Sequence, residues 1–356
     1  MALAPLTFNI QALSNNLNEA LKFEIDHKTK PLGSLGQLER IAYQLGRIQQ
    51  SVQLKLSKPT VVLVGADHGI CAQGVSPCPQ ELTWQQMKNF AKRGGGIGLF
   101  SNLYKLDMLT IDAGVAYDFS PEDGVEDYKV RNGSRDFSKE PAMTTVECQQ
   151  AMQNGADIVT KLHSKGCNVI AFGEMGIGNT SPASIIMSQL CNIPLEACVG
   201  AGSGLDSQGI QHKLNVLKGA IKKHGTFKNP IETLACYGGL EIATICGGIL
   251  QAATLKMLYI NDGFIITSAL LVAHAMYPEV LEYTIFSHQS NEGGHKQMIE
   301  HMNGEPILNL DLRLGEGTGA AMAYPIIQGA VEMMNKMTTF TQAKVTDTTK
   351  KGITVL

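Results

Sequence analysis

The sequence predicts an α/β fold: a doubly wound, mainly parallel sheet with helices on both faces, joined to a small helical domain. Two observations predict it. Apolar, β-branched runs recur along the chain, each ending in a polar loop, with segments of helical periodicity between them. The first 55 residues lack such runs and read as helical by period. The expected division is a small helical domain from residues 1–55 and the C-terminal part, about 318–356, around a large α/β domain at 56–317.

In chain order, "ALSNNLNEALKFEIDHKTK" and "SLGQLERIAYQLGRIQQSVQ" form a helical hairpin broken at "KPLGS", a turn with Ser34 as its cap. "TVVLVGADHG" (60–69) is the first buried strand. A two-proline loop from Cys71 feeds a helix over 80–92 that carries the only tryptophan, Trp84. That ring either lines an aromatic pocket or anchors its helix. "DMLTIDAGV" (107–115) is the second strand and a helix at 145–163 follows. "CNVIAFGEMGIGNTS" (167–181) is the third strand, with helices at 206–223 and 240–254 after it. "MLYINDGFIITS" (257–268) is the fourth, and "GFIITSALLVAHAMY" (263–277) reads as a buried strand running into a buried helix, too short to span a bilayer. A last helix covers about 318–337, and the polar tail after about 340 is peripheral. In such sheets ligands bind beyond the carboxyl ends of the strands. Those ends carry Asp67, His68, Asp112, Glu174 and Asp262.

Composition narrows the function. Hydrophobic residues make up 44% and charged residues 17%, so a sizeable core is expected; a net charge of −3 disfavours nucleic acid and anionic membranes as partners. The eight cysteines include no C-x-x-C pair, which disfavours a structural zinc site. "MALAPLTFNI" is not a signal sequence, so free thiols in a reducing cytoplasm are expected. Glycine is enriched, at 37 of 356 residues against roughly 7% on average, and it clusters in loops.

Two of those loops suit an anion. "GEMGIGNTS" (173–181) sets Glu174 and three glycines at a strand end, with Asn179, Thr180 and Ser181 placed to cap a helix. It is equally a glycine-rich turn with an N-cap. "VGAGSGLDSQGIQHK" (199–213) offers Gly202, Asp206 as an N-cap, and Lys213 further along the helix. His68, His288 and His295 have no metal-ligand spacing and read as structural hydrogen-bonders. "LRLGEGTGAAMA" (312–323) places Glu316 between glycines at a helix start. There a carboxylate is either a favourable helix-end charge or a catalytic group.

Together these motifs resemble one family, the nicotinate-nucleotide–dimethylbenzimidazole phosphoribosyltransferases. "KPLGSLGQLE", "ADHGI", "GVSPCPQELT", "GEMGIGNTSPA", "GLDSQGIQHK", "GGLEIATICGGIL", "NDGFIITSALL", "SHQSNEGGHK" and "LRLGEGTGAAMA" carry the resemblance in the family's order over nearly the whole chain. The resemblance implies a Rossmann-like domain, a homodimer and no cofactor or metal. It implies that an aromatic base displaces nicotinate from nicotinate mononucleotide to give an α-ribazole phosphate. Glu316 would be the general base and Glu174 would lie near the reacting centre. Gly176, Asn179, Thr180, Gly202, Lys213, Asp262, Gly263 and Ser290 would bind phosphate and ribose. Cys78, Gln86 and Leu314 would line the base pocket, and Cys78 departs there from the family's small polar residue. The alternatives are activation of another benzimidazole, a purine or a phenol, and a non-catalytic nucleotide sensor on the same fold.

Overall fold

The structure is a computed structural model that describes residues 6–347 and residue 349. Its sheet is built from β1 (Thr60–Ala66), β2 (Asp107–Gly114), β3 (Glu126–Asp127), β4 (Val169–Met175), β5 (Leu258–Asn261) and β6 (Thr284–Phe286). All neighbours are parallel and the order is β3-β2-β1-β4-β5-β6. This is the doubly wound order, whose direction of winding reverses between β1 and β4. The sequence explains why the sheet is buried on both faces. Val61 to Val64 and Val169 to Phe172 are continuous apolar runs without polar alternation, and all are buried.

The helices follow the predicted places closely: Leu82–Ala91, Thr145–Ser164, Ser207–His224, Leu240–Thr254 and Thr318–Lys336. Asp206 caps its helix as expected, accepting the Gly209 N–H at 2.8 Å. The 257–268 run is different. Its strand stops at Asn261, and Phe264–Met276 is helix from its first residue, with Gly263 as N-cap. Ile265, Ile266 and Thr267 are β-branched, but the helix they start is buried from Phe264 to Ala273. An all-round apolar helix has no periodicity to tell it from a strand. Among the described residues no helix is long and apolar enough to cross a membrane.

Asn18–Asp26 and Gln37–Gln49 form the N-terminal hairpin, and its second helix packs on Thr318–Lys336. Asn335 ties the two ends of the chain together, accepting from Leu54 N at 2.9 Å and donating to Leu54 O at 2.8 Å. Ser34 does not cap the second helix. The N-cap is Gly36, at φ +53°, and Glu39 reaches back to accept the Leu35 N–H at 2.8 Å. The same carboxylate meets Lys30 Nζ at 2.9 Å, and both side chains are buried. An ion pair sealed under the turn accounts for the residues of "KPLGSLGQLE" better than a serine cap does. Trp84 anchors its helix by stacking on Tyr117, with centroids 4.5 Å apart. Among its described residues the tail keeps one short helix, Phe340–Ala343, with Phe340 buried against the chain. Residues 348 and 350–356 of that tail lie outside the described residues.

Candidate active site

A cleft opens at the carboxyl ends of β4 and β5. Three turns form its walls. The first leaves β4 at Glu174 and runs through Gly176 to Thr180, where helix Thr180–Cys191 begins. The second spans Ala201 to Ser203, ahead of helix Ser207–His224. The third is Arg313 to Glu316, ahead of helix Thr318–Lys336. Asp262 and Gly263, just past β5, and Ser290 complete the wall.

The third turn is unusual in its backbone. Gly315, Glu316 and Gly317 have φ of +77°, +64° and +82° in succession. Left-handed glycines are ordinary, but a left-handed glutamate stores strain and persists only when its surroundings impose it. They do so here. Gly173 in β4 lies so close under the turn that a Cβ there would run into the Glu316 carbonyl. Glu174 Oε1 accepts the Glu316 N–H at 3.4 Å. Asp262, fully buried, accepts Gly317 N–H at 3.2 Å and Ala320 N–H at 2.9 Å.

The Glu316 carboxylate looks toward the start of helix Gly95–Leu103, where it faces the N–H groups of Gly96 and Ile97 without a well-formed hydrogen bond. Burial pushes its carboxyl above the ordinary range, those amides draw it partly back, and the nearby Asp262 charge pushes it up again. Glu174 is more extreme. Burial, with the charges of Glu241 and Asp262, raises it to about 8, although Asn179 Nδ2 donates to its Oε2 at 2.5 Å. Asn179 therefore turns its side chain back to Glu174 and does not cap the helix, contrary to the sequence reading.

The cleft brings together Glu316, Glu174, Gly176, Asn179, Thr180, Gly202, Asp262, Gly263, Ser290 and Leu314. Lys213, Cys78 and Gln86 are not among the residues lining it. Lys213 is wholly buried behind the wall and donates to Thr180 Oγ1 at 2.7 Å. Burial lowers it to about 8 against the opposing pull of Glu292. Cys78 is half-buried with its N–H on Ser76 Oγ at 3.3 Å, and Gln86 Oε1 accepts from Asn89. Sequence reading missed Arg313, Glu292, Ser76 and Ser203 on the wall. Arg313 and Glu292 stood in the quoted motifs beside residues that were chosen, so the signal was present.

The histidines are structural partners. His68 Nε2 meets Glu241 Oε1 at 2.7 Å, both fully buried. His295 bonds Thr267 through Nε2 at 2.8 Å and accepts the Ser290 N–H through Nδ1 at 2.8 Å. Burial and the neighbouring His288 hold it neutral, lowered to about 3. It therefore keeps the acceptor lone pair that seats Ser290 at the cleft.

A family model described as phosphoribosyltransferase matches residues 10–345. A nicotinate-nucleotide–dimethylbenzimidazole phosphoribosyltransferase of Phocaeicola vulgatus is 47% identical over 95% of this chain and 98% of its own. The chain belongs to the nicotinate-nucleotide–dimethylbenzimidazole phosphoribosyltransferase family. A second member, from Dechloromonas aromatica, is 45% identical over 96% of this chain and 99% of that protein. The crystal structure of the family enzyme from Thermus thermophilus superposes with a TM-score of 0.88, at 33% identity, over 94% of this chain and 99% of that one.

Proposed function

We propose that the protein transfers the ribose 5-phosphate of nicotinate mononucleotide to an aromatic base such as 5,6-dimethylbenzimidazole. Nicotinate is released and α-ribazole 5′-phosphate forms. The observation that carries this reading is Glu316, a carboxylate held on a strained turn at the edge of a cleft, with glycine loops along the cleft's other walls.

One ring nitrogen of the base attacks C1′ of the ribose as the C1′–N bond to nicotinate breaks. The electron pair of that bond neutralises the departing pyridinium, so the leaving group needs no acid. The proton on the other ring nitrogen, made acidic by the attack, passes to Glu316. The same carboxylate opposes the positive charge that builds on the ribose and the attacking ring. Atoms and charge balance without a metal or cofactor. In this reading the phosphate rests on the N–H groups of Gly176 and Gly202, with Thr180 donating its hydroxyl and Lys213 supplying charge from behind it. Asn179, Gly263 and Ser290 border the ribose, and Leu314 borders the base.

The enzyme works as a homodimer in the cytoplasm. Leu99 and Leu103 are each 61% exposed and Ile326 is 38% exposed, on two helices that pack together, which favours a partner over that face. All eight cysteines are unpaired, which suits a reducing compartment. The hairpin and C-terminal helices form the small domain, and residues 56–317 the catalytic one. Sedimentation that found only a 38.3 kDa species at micromolar concentration would overturn the dimer.

The deciding assay incubates the protein with nicotinate mononucleotide and a panel of benzimidazoles, purines and phenols. Base-dependent release of nicotinate, with an α-linked ribotide as product, is expected. Nucleotide binding without turnover on any base would overturn the reading in favour of a sensor.

A further inference from the structure

Asp262 stands on the wall of the cleft, yet each of its carboxylate oxygens is engaged by a backbone N–H. Its Oδ2 accepts Gly317 N–H at 3.2 Å and its Oδ1 accepts Ala320 N–H at 2.9 Å. Helix Thr318–Lys336 begins at a glycine and has no side-chain cap of its own. A helix start leaves its first N–H groups unsatisfied, and here a carboxylate from the end of β5, 58 residues away in sequence, fills that place. The first of the capped amides directly follows Glu316, whose φ of +64° is a strained conformation that persists only where the surroundings impose it. Asp262 itself cannot shift. It is fully buried, Asn261 Nδ2 holds its main-chain carbonyl at 3.1 Å, and His288 Nδ1 lies 3.9 Å from Oδ1. His288 packs in turn on Gly319, where a Cβ would enter its ring.

We propose that Asp262 is a positioning residue: it caps the Thr318–Lys336 helix from across the fold and thereby holds Glu316 in the left-handed conformation that presents its carboxylate to the base. This rests on the reading of Glu316 as the general base. A group that acts only on the orientation of a base lowers the rate of the chemical step and leaves nucleotide binding largely intact, since misplacement by about 1 Å is worth roughly a hundredfold.

The test compares Asp262→Asn, which keeps the shape but can accept only one of the two N–H groups, with Asp262→Leu, which accepts neither. We expect kcat to fall about tenfold or more in Asp262→Asn and further in Asp262→Leu, with KM for nicotinate mononucleotide changed less than about threefold. Combining Asp262→Asn with Glu316→Gln is expected to be no slower than Glu316→Gln alone, because the two act in series. Amide hydrogen exchange over residues 315–321 is expected to quicken in Asp262→Asn. Should Asp262→Leu fail to fold, the Asn variant and its double mutant carry the test. A KM increase that outweighs the loss in kcat, an unchanged kcat, or a full additional loss in the double mutant would overturn the proposal. Should Glu316→Gln turn over like the wild type, the base assignment falls. Exchange over 315–321 then still decides Asp262's part: faster exchange supports the cap and unchanged exchange overturns it.

Discussion

Glu174 Oε1 accepts the backbone N–H of Glu316 at 3.4 Å. The two carboxylates are thus joined through main chain, with the first bracing the residue that carries the second. Their environments differ as well. Glu174 is buried among like charges and raised to about 8, whereas Glu316 is half-buried opposite a helix start. Such a difference separates a group that carries a proton at neutral pH from one able to accept it.

Replacing Glu316 by Gln should lower kcat by roughly 10² to 10⁴ with nucleotide affinity kept. A helix-end charge alone would cost only about 0.3–1 kcal/mol of stability and leave turnover intact. Nicotinate release rates and melting temperatures measured side by side separate the two. In the wild type, kcat should also fall on the acid side, with an apparent pKa above that of an ordinary glutamate, and this limb should vanish in Glu316→Gln.

Glu174 makes stability depend on pH in a definite direction. Its folded pKa, about 8, lies above its unfolded value, so the native state binds more protons across the interval between them. Stability is therefore fullest below about pH 4.5 as far as this group is concerned, and is lost as pH rises toward 8. Glu174→Gln should flatten that decline, which thermal melts between pH 5 and 8 would read. An equal decline in both proteins would contradict the assignment.

Lys213 and Thr180 should behave as one unit, since the ammonium donates to the hydroxyl at 2.7 Å and Thr180 lines the cleft. Lys213→Met and Thr180→Val should each raise KM for nicotinate mononucleotide more than they lower kcat. The double variant should be little worse than either single one. Fully additive losses would mean that the two contact the phosphate separately.

Gly173→Ala places a methyl group against the Glu316 carbonyl. Overpacking at a rigid contact costs about 1–3 kcal/mol, visible in denaturant melts. Because the displaced atom belongs to the catalytic turn, kcat should fall along with stability. A stable variant with normal turnover would show that the turn is free to move.

Much of this was legible in the sequence because the relevant physics is local. β1 and β4 announce themselves as unbroken apolar runs, and Glu316 between two glycines marks a turn with room around it. β3 and β6, of two and three residues, are too short to carry a pattern. Helix Phe264–Met276 was misread at its start because burial on all sides removes the periodicity that identifies a helix. At the site, side-chain direction was the missing information. Lys213 lies behind Thr180, Asn179 bends back to Glu174, and Asp262 faces a helix that begins 56 residues later, and no spacing rule encodes any of these.

The cleft's walls are unlike. The Gly176 and Gly202 turns bring Thr180 with Lys213 behind it, whereas Glu316 stands on a separate turn braced by Glu174 and Asp262. In nicotinate mononucleotide the positive ring nitrogen is offset by the ring's own carboxylate, so the net charge lies on the phosphate. The product keeps that phosphate. The glycine turns therefore grip substrate and product by the same handle, which makes the product a natural competitor for the cleft.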